Sequence, residues 1–261
     1  RNEILSVADG VNEFFAGGSR FGNISINRVG HPIGSFFGYQ VQGIFQSNEE
    51  IANAASQDGA APGRFRFADL NGDGAISPAD RTVLGSPIPD FTAGLNISLA
   101  VRNWDFTAFL FASVGNDIYN YTKWWTDFAP SFAGGKSRDL LYNSWLPERP
   151  NATTPIAEPI SNFSTNTQSS SYYIEDGSFL RARNIQLGYT FPTRVSSRLK
   201  MDRLRIYAQG VNLFTLTGYS GLDPELQPQN VTAGTADRAM GIDYGNYPVV
   251  RQIIFGVNVG F

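Results

Sequence analysis

Two consecutive segments with regular alternation of apolar residues most restrict how this chain can fold. Apolar side chains occupy every second position from Phe91 to Val101 and again from Trp104 to Val114, with only Arg102 and Asn103 between the two segments. Each segment has about 11 residues, the length that a tilted strand needs to cross a bilayer. The pair therefore predicts a tight hairpin of two amphipathic strands, each with one apolar face.

Other segments predict further strands. Residues 185–191 alternate, as do residues 204–208, and we expect these two strands to pair across the turn between them. Weaker strands are predicted at 22–28 and 33–45, around a Gly-His-Pro turn. With a strand at 253–261, the chain is predicted to contain about seven strands.

The segment 253–261 has an apolar face formed by Ile253, Phe255, Val257, Val259 and Phe261. Outer-membrane strands have such faces, with aromatic residues at the membrane interfaces. A last strand of a soluble β-sandwich is the alternative, because period-two patterns occur in all half-buried sheets.

The connections between the predicted strands alternate between short and long. Short periplasmic turns and long extracellular loops are typical of outer-membrane barrels. The pattern therefore predicts an all-β fold, an antiparallel transmembrane β-barrel segment, in which the short turns lie at 29–32, 102–103 and 192–202 and the long extracellular loops at 46–90, 115–178 and 215–248.

Composition agrees with a membrane location. Only 16% of the residues are charged, whereas a soluble domain has about 25%. No run reaches the roughly 18 to 20 apolar residues of a membrane helix, so we expect any crossing to be by strands. The lack of cysteine excludes disulfides and thiolate metal sites, and a net charge of -3 gives no indication of nucleic-acid binding. The first residues show no signal-peptide pattern, so we expect a secreted product to be processed or a fragment.

One loop predicts an ion site. Side-chain oxygens of Asp69, Asn71, Asp73 and Asp80 stand at positions 1, 3, 5 and 12 of an EF-hand-like loop, with glycine at position 6 and the Ala75 carbonyl at position 7. Because all the donors are oxygen, calcium is the predicted ion, in a structural role. An Asx-rich turn without an ion is the alternative.

The long loop at 115–178 is rich in aromatic residues. Tyr119, Trp124, Trp125 and Trp145 are candidates for binding substrate, because their ring faces could stack on sugars. Packing of the loop, or contact with a partner, is the alternative interpretation.

No catalytic residue is predicted. His31 is the only histidine and lies in a predicted turn, which argues against a catalytic triad. Glu148, Glu158, Glu175 and Asp176 are interpreted as scattered loop acids rather than a glycosidase pair. We therefore do not expect an enzyme.

Five blocks resemble one family. They are similar, in order and spacing, to the near-C-terminal signature of the SusC/RagA-type TonB-dependent transporters of Bacteroidetes, and the resemblance runs from about residue 30 to the end. The blocks are Gly85–Phe91, Gly115–Asn120, Tyr172–Arg181, Asn184–Thr190 and Gln209–Phe214.

The resemblance implies that the chain supplies about seven or eight strands of a barrel of roughly 22. We expect no counterpart within this sequence of the family's signal peptide, N-terminal domain, TonB box, plug and most of its barrel. An open sheet edge is costly in lipid, so we expect the chain to be part of a larger assembly containing the plug and the remaining strands.

The resemblance also implies partners and a function. These are a SusD-like surface lipoprotein, the TonB complex acting through the plug, outer-membrane lipid, and barrel-assembly machinery that recognises the last strand, with import of oligosaccharides or oligopeptides as the function. The alternative from another class is a secreted calcium-dependent β-sandwich module that binds carbohydrate.

A membrane strand should present apolar residues to lipid and polar residues to the lumen or plug. We expect Asn96, Ser98, Gln186 and Asn258 to face the lumen, and we expect these residues to face lipid: Leu95, Ile97, Leu99, Leu110, Leu187 and Phe255.

Overall fold

The computed structural model describes residues 2–20, 22–128, 130, 133–150, 152–226 and 240–261. Most regular structure in these residues is strand, which confirms the predicted all-β class. The strands are β1 (Glu13–Ser19), β2 (Gly22–Arg28), β3 (Ser35–Tyr39), β4 (Val41–Ile44), β5 (Phe65–Phe67), β6 (Arg81–Gly85), β7 (Phe91–Val101), β8 (Trp104–Val114), β9 (Asp117–Asn120), β10 (Ile174–Asp176), β11 (Phe179–Thr190), β12 (Arg203–Val211), β13 (Thr215–Thr217), β14 (Ile242–Asp243) and β15 (Gln252–Gly260).

The helices in the described residues are short. They are α1 (Asn48–Ala52), α2 (Thr122–Thr126), α3 (Arg138–Tyr142) and α4 (Thr193–Arg198), with single 3₁₀ turns at Pro78–Asp80 and Ser171–Tyr173. None of the helices in this part of the chain has the length and apolar character needed to span a bilayer.

The chain forms two compact units, a division that the predicted strand pattern does not indicate. Much of the polar sequence predicted as long loops is folded into the first of them, with strands and a core of its own. Unit 1 comprises Arg1–Ile88, Asn116–Asp176 and Glu225–Asn246, and unit 2 comprises Pro89–Gly115, Gly177–Pro224 and Tyr247–Phe261. Part of the predicted loop 215–248, residues 227–239, lies outside the described residues.

Unit 2 is built on one antiparallel sheet. Its main strands lie in the order β7, β8, β11, β12, β15, so each pairs with its neighbour along this series, and the short β13 adds to one end of β11. The predicted hairpin β7–β8 is confirmed, as is the pairing of β11 with β12. Within the described residues, β7 and β15 are the two edges of this sheet.

Strand register aligns the apolar residues of unit 2 in rows across the sheet, because residues opposite each other in neighbouring strands share a face. Two rows on one face are entirely apolar or aromatic: Leu99–Phe106–Leu187–Ala208–Phe255 and Val101–Trp104–Tyr189–Ile206–Val257. The other face carries the row Ser98–Thr107–Gln186–Gln209–Ile254. The predicted separation into an apolar and a polar face is therefore present.

Unit 1 contains the weaker predicted strands, but in other sheets. The hairpin β2–β3 belongs to a four-stranded sheet in the order β1, β2, β3, β6, and its turn contains His31. The predicted strand 33–45 is divided into β3 and β4, and β4 pairs with β5 instead. The prediction that these strands belong to one membrane-spanning sheet with the other predicted strands is wrong, because β2 and β3 pair with β1 and β6 in a separate sheet, where β3 is buried along its whole length.

The core of unit 1 is aromatic. Tyr39 stacks on Phe67 with ring centroids 5.0 Å apart, and Tyr119 stacks on Tyr173 at 5.5 Å. Phe65 packs against Tyr172 and is 1% exposed. Burying one such ring contributes about 1.5 to 3 kcal/mol, so these rings account for much of the stability of this unit.

Candidate functional site

The predicted ion loop begins with Asp69, whose carboxylate organises the loop backbone. Its Oδ1 accepts a hydrogen bond from the Gly72 amide at 2.7 Å, and its Oδ2 accepts one from the Gly74 amide at 2.9 Å. Gly74 has φ of 81°, a conformation that glycine adopts without steric cost. The sharp turn predicted at loop position 6 is therefore confirmed.

Asn71 and Asp73 form the exposed part of the loop. Asn71 Oδ1 accepts from the Asp73 amide, and Asp73 Oδ1 accepts from the Ala75 amide, both at 2.9 Å. Asn71 Nδ2 donates to Asp73 Oδ2 at 2.9 Å. The structure thus brings three of the predicted side chains into one hydrogen-bonded loop, in which every acceptor oxygen retains a second lone pair.

Asp80 is placed differently. It is fully buried. Its Oδ1 accepts from the amides of Leu70 and Asn71, and its Oδ2 accepts from the amide and hydroxyl of Ser77 in a capping box. Burial opposes ionisation of Asp80, but the hydrogen bonds from the Ser77, Leu70 and Asn71 backbone outweigh it and lower the pKa of this carboxyl.

The loop does not assemble the complete predicted coordination sphere. No three Asp, Glu, His or Cys side chains within the described residues converge as a metal site. Asp80 directs both oxygens to the protein backbone, so it fixes the loop at its two ends. Asp69, Asn71, Asp73 and the Ala75 carbonyl remain the oxygen donors that fit a hard cation such as calcium.

Two of the four aromatic candidates for substrate binding are in the core. Tyr119 is 0% exposed and Trp145 is 6% exposed. Trp145 Nε1 donates to Gln46 Oε1 at 2.8 Å. A buried ring has no free face for a ligand, so the assignment of these two residues to substrate binding is wrong and the packing alternative holds for them.

Trp124 and Trp125 are partly exposed and form a cluster with Arg20. The two indole rings meet edge to face at 4.6 Å, and the Arg20 guanidinium lies 4.8 Å from the Trp125 ring centroid. Trp124 Nε1 donates to the Asn166 carbonyl at 2.8 Å. Sequence reasoning missed Arg20, because it is more than a hundred residues from the tryptophans and no local pattern connects them.

The apolar face of unit 2 is open. Phe255 is 80% exposed, and Leu99, Leu187, Val257 and Val259 are also exposed. Phe261, which follows β15, is 87% exposed. The predicted lipid-facing residues Leu95 and Leu99 are exposed likewise, while Ile97 and Leu110 are half-buried.

The opposite face of unit 2 carries an ion pair that sequence reasoning missed. The Arg205 guanidinium of β12 reaches across β11 and makes a bidentate contact with Asp105 of β8. It passes over Gly188, where a Cβ atom would overlap both partners. The Tyr207 ring covers Gly256 of β15 in the same way. Glycine within a strand indicates such close approaches, so these two glycines are the signal by which the sequence could have revealed the contacts.

The chain is similar to known receptors. It is 38% identical over 237 residues to TonB-dependent receptor P3 of Formosa agariphila, covering 90% of this chain and 23% of that protein. It is 32% identical to TonB-dependent receptor P26 of the same organism, and 28% identical to TonB-dependent receptor SusC of Bacteroides thetaiotaomicron. The latter two matches cover 89% and 91% of this chain, and 23% and 20% of the relatives. The chain matches no family model.

Solved structures show the same fold. The RagAB peptide transporter matches with a TM-score of 0.73 at 21% identity, over 99% of this chain and 25% of that one. The RagAB peptide importer in its open-open state matches with a TM-score of 0.69 at 20% identity, again over 99% of this chain and 25% of that one. This fold and the antiparallel order of the sheet in unit 2 favour the barrel over a β-sandwich. The predicted resemblance is thus confirmed: the chain is similar to TonB-dependent receptors, SusC among them, has the fold of the corresponding part of RagA, and spans about a quarter of the length of the relatives it matches.

Proposed function

We propose that the chain is the C-terminal barrel portion of an outer-membrane transporter that imports oligosaccharides or oligopeptides together with a SusD-like lipoprotein. The observation that carries the proposal is the similarity to TonB-dependent receptors along 90% of the chain. The plug, the remaining strands and the TonB complex are partners supplied by the rest of the assembly.

The sheet of unit 2 supports the placement in a membrane. Its two apolar rows run across one face of all five long strands, and the Asp105–Arg205 pair lies on the other face. Charged groups facing lipid are costly, so the face with the ion pair borders the lumen or plug. Unit 1 contains much of the sequence predicted as extracellular loops.

Trp124, Trp125 and Arg20 are the proposed contact points in unit 1 for substrate or for the lipoprotein. Partly exposed indole rings offer apolar faces on which sugar or peptide groups can pack, and the guanidinium offers hydrogen-bond donors. The RagAB structures are described as peptide transporters, and SusC is a relative at 28% identity. Both substrate classes are therefore retained in the proposal.

Uptake by a strain that lacks the intact receptor tests this function. Complementation with the wild-type receptor should restore growth on one of the two substrate classes, and a Trp124→Ala/Trp125→Ala receptor should restore it less well at equal surface levels. Tyr142→Ala is the matched control, because Tyr142 is an exposed aromatic residue of the same segment. Failure of the wild-type receptor to support growth on either class, or to co-purify with a surface lipoprotein, would refute the proposal.

We also propose that calcium binds the loop through Asp69, Asn71, Asp73 and the Ala75 carbonyl, with Asp80 fixing the loop ends. The donor set is all oxygen, as calcium requires. Titration of the intact receptor with terbium, a luminescent calcium substitute, should show a site that calcium displaces and that Asp73→Asn weakens. Asp58→Asn is the control, because Asp58 is an exposed carboxylate outside the loop. Equal terbium binding by both variants would contradict the site.

A third proposal concerns assembly. Phe255, Val257, Val259 and Phe261 present an apolar surface on the edge strand β15 and beyond it, and we propose that the barrel-assembly machinery recognises this surface. A Phe255→Ser/Val257→Ser receptor should reach the outer membrane in smaller amounts at unchanged synthesis. Normal amounts of heat-modifiable barrel would contradict this role.

A further inference from the structure

The apolar face of unit 2 contains a groove of about 560 Å³. Its lining includes Leu187 and Tyr189 of β11, Ile206 and Ala208 of β12, and Phe255 of β15. In the row Leu187–Ala208–Phe255, the middle residue has only a methyl group between two large side chains. The groove exists because this small residue leaves a depression along the sheet.

One end of the groove is aromatic. Trp104 also lines it and packs against Tyr189 with ring centroids 4.8 Å apart, and Tyr189 in turn meets Phe191 at 5.2 Å. These residues lie at the end of the sheet where the β7–β8 and β11–β12 turns are found. Tyr and Trp rings are enriched where a barrel passes from the hydrocarbon to the headgroup region.

The turns at this end are basic. Four exposed basic residues lie in them, against the single exposed acid Asp202, and in the part of the chain that the structure describes none of the four forms an ion pair. They are Arg102, Arg194, Arg198 and Lys200. Three of them belong to the segment containing α4, which joins the two strands that form the middle of the groove.

From this arrangement we propose that the groove and its turns bind a glycerophospholipid with an anionic headgroup, such as phosphatidylglycerol or cardiolipin. An acyl chain fills the depression at Ala208, the glycerol backbone lies at the level of Trp104 and Tyr189, and the phosphate lies near Arg198 and Lys200. Basic residues at a membrane surface attract anionic lipid, and an apolar groove alone would not select a headgroup. The inference rests on the proposed placement of unit 2 in the membrane.

Native mass spectrometry of the intact receptor in detergent tests the inference. The probes are phosphatidylglycerol, cardiolipin, phosphatidylethanolamine and lipopolysaccharide, each added separately. The wild-type receptor should retain the two anionic phospholipids in preference to phosphatidylethanolamine. Arg198→Gln/Lys200→Gln should weaken their binding by about fivefold for each charge removed.

Ala208→Phe should fill the groove and weaken binding on the order of tenfold. Ala93→Phe is the matched control, because Ala93 is an exposed alanine on the same face, in a different row near the other end of β7. Each variant is first checked for heat-modifiable folding, and the turn variant tests the proposal if Ala208→Phe does not fold.

Two failures can be told apart. If the wild-type receptor does not insert into membranes, the proposed function fails. If it inserts but binds lipopolysaccharide instead, binds phosphatidylethanolamine equally well, or keeps its anionic lipid in both the turn and groove variants, the lipid site is refuted and the transporter proposal stands.

Discussion

The two units use aromatic residues in opposite ways. In unit 1, Phe65 and Tyr119 are enclosed by protein, whereas in unit 2, Trp104 and Phe255 stand exposed on a sheet face. Both sets come from strands, so the difference does not lie in local structure. The difference lies in what surrounds the side chain: protein in unit 1 and, we propose, lipid in unit 2.

The largest expected effect is in the core of unit 1. Phe65→Ala should destabilise this unit by about 3 to 5 kcal/mol, because Phe65 is almost completely buried against other rings. Hydrogen–deuterium exchange in the intact receptor should show faster exchange in unit 1. Phe14→Ala, at a half-exposed ring of β1, should change exchange little, and equal effects of both would show that burial does not distinguish these rings.

The next effect is specific to unit 2. Ile97→Arg should cost roughly 2 to 4 kcal/mol near the middle of a bilayer, and should reduce the amount of heat-modifiable receptor in outer membranes. Leu70→Arg, at an exposed residue of unit 1, should cost no more than about 0.5 kcal/mol. If the two variants assemble equally well, the apolar face of unit 2 does not face lipid.

A smaller effect is expected at Asp80. Asp80→Asn should loosen the ion loop by about 1 to 3 kcal/mol, because an amide cannot replace the charge-assisted hydrogen bonds that the Asp80 carboxylate accepts from the backbone. Since the pKa of Asp80 is lowered in the folded protein, its contribution is present above the unfolded pKa of about 3.9 and is lost as pH falls through the folded value.

Exchange of the loop amides should therefore accelerate below about pH 4 in the wild-type receptor, beyond the intrinsic change of exchange rate with pH. This acceleration should be smaller in the Asp80→Asn receptor. The same pH dependence of amide exchange in the two proteins would mean that a group other than Asp80 controls the opening of the loop.

The smallest effect is expected at an exposed ion pair of unit 1. Arg28 Nε lies 2.6 Å from Glu13 Oε2, and both side chains are substantially exposed. Glu13→Ala should change stability by less than about 1 kcal/mol, as followed by exchange in β1 and β2. A larger loss of stability would show that exposed ion pairs stabilise unit 1 as much as its buried aromatic residues do.

The sequence predicted a strand and its bounds correctly where the two faces of the strand meet different surroundings. The bounds of β7 and β8 follow directly from the alternation of apolar residues, and their pairing follows from the two-residue turn. For β3 the pattern was uninformative, because a strand buried on both faces has no polar side.

Contacts that are distant in sequence were beyond prediction. The Phe65 amide donates to the Ser164 carbonyl, and Tyr39 bridges to Ser170, so unit 1 is assembled from separate parts of the chain. In the ion loop, the spacing identified the carboxylates. It did not predict where the Asp80 side chain points, because that depends on the Leu70 and Asn71 amides, which donate hydrogen bonds to its Oδ1.

The bare backbone at Gly188 also bears on how faithfully the sheet is assembled. If β11 slipped by one residue against its neighbours, Leu187 or Tyr189 would come to lie beneath the Arg205–Asp105 pair, because neighbouring residues of a strand point to opposite faces. The bulky side chain would separate the two charges, and the apolar rows would be interrupted at the same time. A slipped register would therefore lose both the ion pair and the continuous apolar rows. Gly188 thus favours the correct register while the strands are still pairing during assembly.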